Sequence, residues 1–230
     1  MDNETLAGIF EDVGADFGFD TVNAEFCAYA DVKVRWVRQA KIISFTVTDY
    51  LEDAPEEVIE DIARRIMCRI RSDDCPQYSD TTNQYFTSQE FVERNQTTYL
   101  ERKSFLSEGS KGKHRDIQDS YERLMSAGLV DEINGLALRW TDCELESENG
   151  LSSLLMKVVL VPSYLDSMDV SDEIFDYNLY RLLVNIIVDF GINPDDRRRM
   201  VDDMIASYPG ASEFDQVISE RHLMSIRGEC

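Results

Sequence analysis

Apolar positions at three- and four-residue steps alternate along the chain with short runs of period two, and the mixture predicts an α+β fold. Leu6, Ile9, Phe10, Val13 and Phe17 predict an amphipathic helix within residues 1–20, weakened by Gly8 and Gly14. Val32, Val34 and Trp36 alternate with Lys33, Arg35 and Val37, and Ile43, Phe45 and Val47 alternate with Ser44, Thr46 and Thr48. With a turn at Gln39 and Ala40, the runs 31–38 and 41–48 read as a β-hairpin. A helix follows, with Asp53 as cap, Pro55 in its first turn, and Ile59, Ile62, Ala63, Ile66, Met67 and Ile70 as its buried stripe. Residues 72–86 read as a polar loop and 88–95 as a short helix. After a loop through Ser107, Gly109, Ser110 and Gly112, a helix over 116–127 stops at Gly128. Strands are expected at 136–140 and 154–161, on either side of an acidic turn at 142–148. The last third reads as three helices: 172–190 capped by Ser171, a second from Asn193-Pro194-Asp195 to Ser207, and a third over 213–224. No internal repeat or linker is legible, so 1–230 reads as one domain. Its expected form is a small antiparallel or mixed sheet packed against helices, with a buried central helix and the helices of 192–230 packed on it.

The hydrophobic fraction of 43% belongs to a folded chain, so acidic disorder is excluded. The charge is less ordinary: 45 acidic against 23 basic side chains give −22. Such a surface repels phosphate backbones, so no nucleic-acid partner is expected, and the charge reads as solvation rather than as a docking signal. Cys27, Cys68, Cys75, Cys143 and Cys230 form no Cys-x-x-Cys and read as free thiols of a reducing cytoplasm. Residues 1–20 lack the basic and apolar regions of a signal peptide, and no apolar run is long enough to cross a bilayer. The expectation is therefore a cytoplasmic protein with no membrane partner.

The segment 172–190 is apolar almost all round, as a central helix is. Its interior polar residues, Asn178, Arg181, Asn185 and Asp189, step by three, four and four and so fall in one stripe. A buried polar stripe is costly unless its members are paired. Arg181 and Asp189 are too far apart to pair directly, so Arg181 needs an acceptor from elsewhere in the chain.

Several segments, in order, resemble the SprT-like zinc metallopeptidases. They are Val47-Thr48-Asp49-Tyr50-Leu51-Glu52-Asp53-Ala54-Pro55-Glu56-Glu57-Val58, Gly112-Lys113-His114, Asp119-Ser120-Tyr121-Glu122-Arg123-Leu124 and Gly128-Leu129-Val130. Leu155-Met156-Lys157-Val158 and Tyr164-Leu165-Asp166 complete a series covering roughly residues 20–210. The resemblance implies a zincin-like fold whose central helix carries Tyr-His-Glu-x-x-His, two imidazoles for zinc and a glutamate as general base. Here the matching stretch is Tyr180-Arg181-Leu182-Leu183-Val184-Asn185. Arg181 and Asn185 stand at the histidine positions and Leu182 at the glutamate. The third ligand implied near 195–201 also finds no histidine. A guanidinium stays protonated and repels a dication, and leucine moves no proton.

The residues therefore predict no catalytic residues, no metal and no cofactor, and an inactive metallopeptidase-like module with a protein or peptide partner. Asn178, Arg181, Asn185 and Asp189 either satisfy one another's surroundings or line a retained cleft for a peptide or small anion. Strand 154–161 is expected to form that cleft's edge, open to strand addition. Two alternatives are a hydrolase with a relocated metal site and a nucleic-acid-associated factor. Asp189, Asp195, Asp196, Asp202 and Asp203 match no calcium loop and read as a solvated face. The loop Gly109-Ser110-Lys111-Gly112-Lys113 lacks the phosphate-loop form and reads as flexible, and His114 and His222 read as surface residues.

Overall fold

Asp2 accepts the backbone N–H of Thr5 at 2.9 Å and so opens the first helix, α1 (Asn3–Asp16). The computed structural model describes residues 1–71, 75–103, 106–141 and 149–227. Where the sequence reads as one domain, the residues gather into two compact units, Met1–Ser88 and Gln89–Cys230. The acidic turn expected at 142–148 lies outside the described residues.

In the first unit α1 is followed by β1 (Thr21–Cys27), β2 (Val34–Gln39), β3 (Ile42–Thr48), a 3-10 turn (Asp49–Leu51), α2 (Glu56–Arg71) and α3 (Asp80–Thr87). The sheet order is β1-β3-β2, with β1 parallel and β2 antiparallel to β3. Val22 and Ala24 of β1 and Ile43, Phe45 and Val47 of β3 are buried, as are Leu6, Phe10 and Val13 of α1. The Phe10 and Phe45 rings meet at 4.9 Å. Gly14 has a reason beyond helix propensity: a Cβ there would collide with the Val22 side chain, so α1 and β1 approach as closely as they do because glycine is present. The expected hairpin is observed. Strand β1 is not among the sequence expectations, and helix α3 corrects the reading of 72–86 as a polar loop.

In the second unit the order is α4 (Gln89–Glu101), α5 (Ile117–Ser126), β4 (Ala137–Thr141), β5 (Leu151–Ser153), β6 (Val158–Pro162), a 3-10 turn (Ser163–Leu165), α6 (Asp172–Ile187), α7 (Pro194–Ala206) and α8 (Ala211–Ile226). Ser171 caps α6, Asn193 caps α7 ahead of Pro194, and Gly128 leaves α5 at φ 70°. These three boundaries follow the expected cap chemistry. The sheet order is β4-β6-β5, with β4 parallel and β5 antiparallel to β6. Strand β6 is buried throughout and paired with a neighbour on each side. It is therefore an inner strand that begins only at Val158, after a turn over 154–157, which corrects the expectation of a strand over 154–161 with an open edge. Helix α6 packs on α5, β5, β6, α7 and α8, so almost its whole circumference is covered.

The two units contain the same succession: helix, three strands, 3-10 turn, helix. In each, the first strand runs parallel to the third and the second returns antiparallel on the third's other side. Each hairpin enters its third strand through a non-glycine residue of positive φ, Ala40 at 55° and Lys157 at 48°. The 3-10 turns are Asp49-Tyr50-Leu51 and Ser163-Tyr164-Leu165, and α2 and α6 are both 16 residues long. The repeat is one of topology, invisible as sequence periodicity.

Helix α2 ends beside a disulfide, Cys68–Cys75, where free thiols were expected. A separation of seven residues carries no motif, but the return of the chain brings the two Cα atoms to 5.8 Å, within disulfide range. Thiol titration of the denatured protein is expected to find two more thiols after reduction than before. An unchanged count would refute the bridge.

No helix among the described residues is long and apolar enough to cross a membrane.

Candidate functional site

Helix α6 carries the polar stripe, and each member has a different fate. Asn178 is fully buried. Its Nδ2 donates to the Asn149 carbonyl at 3.1 Å, while its Oδ1 meets no donor among the described residues. Arg181 finds the outside acceptor that its position demanded: its guanidinium donates to Asp215 Oδ1 of α8. Tyr177, one turn earlier, donates its hydroxyl to the same oxygen at 2.8 Å. The guanidinium also lies 5.6 Å from the centroid of the Tyr177 ring. Asn185 turns inward and donates to the Arg181 carbonyl at 2.9 Å, and its own carbonyl accepts from Arg197 of α7. Asp189 lies beyond the end of α6, exposed, and accepts the N–H of Gly191 at 2.8 Å. The stripe is thus not one continuous line: Arg181 joins Asp215 and Tyr177 in a clasp, Asn178 and Asn185 each bond a backbone carbonyl, and Asp189 is an outlying turn residue.

Beside Arg181 and Asp215 the helices α6, α7 and α8 leave a recess of about 550 Å³, with Tyr177, Tyr208, Gly210 and Ser212 among its lining residues. The two tyrosines of its lining touch, Tyr208 lying 5.1 Å from Tyr177, and they are backed by Tyr180, 5.1 Å from Tyr208, and Phe214, 5.6 Å from Tyr177. Burial, followed by the hydrogen bond to Asp215, pushes the Tyr177 phenol up to about 12. Burial also raises Tyr180 and Tyr208, and it lowers the Arg197 guanidinium.

The donor set does not suit a zinc ion. Arg181, where the resemblance would place a ligand, is a cation committed to Asp215. Leu182, where a general base would stand, is buried and apolar. The Asn185 Nδ2 is bonded to the helix's own carbonyl, and an amide is a poor zinc ligand beside an imidazole. Among the described residues no three His, Cys, Asp or Glu side chains converge to hold a metal ion.

The loop Gly109–Lys113 is tied down. Asp166, just after the second 3-10 turn, accepts the backbone N–H groups of Lys113, His114 at 3.0 Å and Arg115 at 3.1 Å. A Cβ at Gly112 would meet this carboxylate and the Trp140 ring. The chain's own anion therefore fills the nest that a phosphate would need, which corrects the flexible-loop expectation. Asp196 accepts from Arg199, in keeping with a solvated face. His114 is exposed, and half-buried His222 lies with its ring 5.7 Å from that of Tyr164.

Sequence reasoning missed Asp215, Tyr177 as its second donor, and Asp166 as an internal anion. The one available signal was the unmet need of Arg181, which named the chemistry of its partner but not its position. Compared with protein-family models, with curated proteins and with solved structures, the chain matches none.

Tyr177 keeps its proton to about pH 12 when folded and loses it near 10 when unfolded. Between these values the native state holds more protons, so this contribution to stability is complete below about pH 10 and lost as pH rises through about 12. Urea unfolding at a series of alkaline pH values is expected to show that decline, with a shallower slope for Tyr177→Phe. An unchanged slope would refute the coupling.

Proposed function

We propose that this chain is a catalytically silent counterpart of the SprT-like metallopeptidases, working as a protein- or peptide-binding module. Support for the zincin-like part comes from the ordered motifs between residues 20 and 210 and from the central placement of α6. The observation that carries the proposal is the state of the three would-be catalytic positions. Arg181 is paired with Asp215, Leu182 is buried in the core, and Asn185 bonds the carbonyl of Arg181. Arg181 and Leu182 offer neither a metal ligand nor a proton acceptor, and the amide of Asn185 is a poor substitute for an imidazole.

Binding then falls to the recess beside the clasp. Tyrosine faces, a guanidinium and a carboxylate together suit the mixed apolar and amide surface of a polypeptide segment. Because β6 is an inner strand, the segment enters against the side chains of α6, α7 and α8 rather than as an added strand.

Elemental analysis of protein purified without a metal-affinity tag is expected to give less than about a tenth of an equivalent of any transition metal. Casein incubated with the protein and added zinc should stay intact. Stoichiometric zinc, iron or manganese, or casein cleavage abolished by Arg181→Ala, would overturn the silent part. For the binding part, a benzophenone side chain at Ser212 should cross-link a polypeptide in the source cells, while the same group at exposed Asp119 should not. Equal labelling at both positions would refute the recess as a binding site.

A further inference from the structure

Strand β2 departs from the rest of this acidic chain. It ends its sheet, and from Arg35 to Gln39 every residue is exposed. Trp36 is 46% exposed and Val37 65%, on opposite faces of the strand, and Ile42 just past the turn is 48% exposed. Large apolar side chains are rarely left open on both faces of one edge.

The backbone of this edge is also open. The Lys33 carbonyl accepts the Thr48 N–H at 3.1 Å, so Lys33 and Thr48 form a hydrogen-bonded pair of the β2–β3 ladder. Antiparallel pairing alternates, so Arg35, Val37 and Gln39 also turn their backbone groups toward β3. The N–H and C=O groups of Val34, Trp36 and Arg38 then face outward, spaced as one rung of a further strand requires.

The charge of the segment is opposite to that of the molecule. Lys33, Arg35, Arg38 and Lys41 fall within nine residues, and no acidic residue occurs from Val32 to Thr48. Aromatic rings hold these cations: Tyr29 lies 4.9 Å from the Lys33 ammonium and 5.3 Å from the Arg35 guanidinium, and Phe19 lies 5.5 Å from Arg38. Of the four, only Lys41 joins an ion pair among the described residues, with Asp20. Lys33, Arg35 and Arg38 thus present positive charge that no ion pair neutralises among the described residues.

We propose that β2 is a docking edge for an extended acidic polypeptide segment, which adds to the β1-β3-β2 sheet as a fourth strand. The outward groups of Val34, Trp36 and Arg38 pair with its backbone, Arg35 and Arg38 meet acidic side chains on the two faces, and Trp36 and Val37 cover apolar ones. A second copy of this chain is the wrong occupant, because pairing β2 with β2 gathers both copies' arginines and lysines along one seam. The surface lies in the first unit and is independent of the α6–α8 recess.

The probe is a fluorescently labelled acidic peptide of alternating glutamate and valine, titrated into the full chain at low salt and read by anisotropy. Saturable binding is expected, weakened about tenfold or more by the pair Arg35→Glu and Arg38→Glu. Circular dichroism should show that this variant keeps its fold. A peptide N-methylated on alternate residues should lose binding in one of the two phases of methylation and keep it in the other. A lysine–valine peptide should not bind. No saturable binding of the acidic peptide, or equal binding of both methylated forms, would overturn strand addition. Tighter binding of single-stranded oligothymidylate at the same edge would overturn the choice of partner.

Discussion

A helix buried on nearly every side must account for each polar group it carries, and α6 is such a helix. Its apolar residues fix it between the second sheet and the flanking helices, so the polar ones have little recourse to bulk water. Arg181 is the demanding member, since a guanidinium cannot shed its charge. Its solution recruits Asp215 and thereby helps settle where α8 lies. Asn185 is absorbed by the backbone of α6, and Arg197 of α7 donates to the carbonyls of Asn185 and Val188 at the end of α6. The last third of the chain is organised around the polar remainder of one apolar helix.

What could be read beforehand was local. Ser171, Asn193-Pro194 and Gly128 act within a few residues of themselves, and each marks the boundary its chemistry suggests. The hairpin of β2 and β3 also declares itself by alternation and a short turn. Strand β1 was missed because its buried side chains, Val22 and Ala24, are small, and because its partner β3 is parallel and reached only after β2. Helix α3 was missed because Asp80-Thr81-Thr82-Asn83 is a poor helix sequence, rescued by the Ser79 cap and by burial of Phe86. At the site, the requirement of Arg181 was legible but its answer was not, since any of the chain's many carboxylates could have supplied it.

The shared topology of the two units alters how Arg181 is understood. Counting from the first residue of each helix, Arg65 of α2 and Arg181 of α6 are both the tenth. Arg65 is only 7% exposed. It donates to the Pro76 carbonyl and to Gln77, and lies 4.5 Å from the centroid of the Tyr78 ring. Each unit thus plants an arginine at the same helical position and holds it with an aromatic ring and oxygen acceptors. Arg181 belongs to that structural habit as well as standing where the resemblance would place a metal ligand.

The disulfide beside α2 acquires a meaning from this arrangement. Cys75 immediately precedes Pro76, Gln77 and Tyr78, the three residues that hold Arg65, and Cys68 lies three positions past Arg65 on the same helix. The bond therefore pins to α2 the residue from which the side chain's acceptors continue. Held this way, those acceptors have little freedom to drift from the guanidinium. A buried charge that loses such acceptors must return to water. Two sulfur atoms and the partners of a buried cation thus share one short stretch of chain.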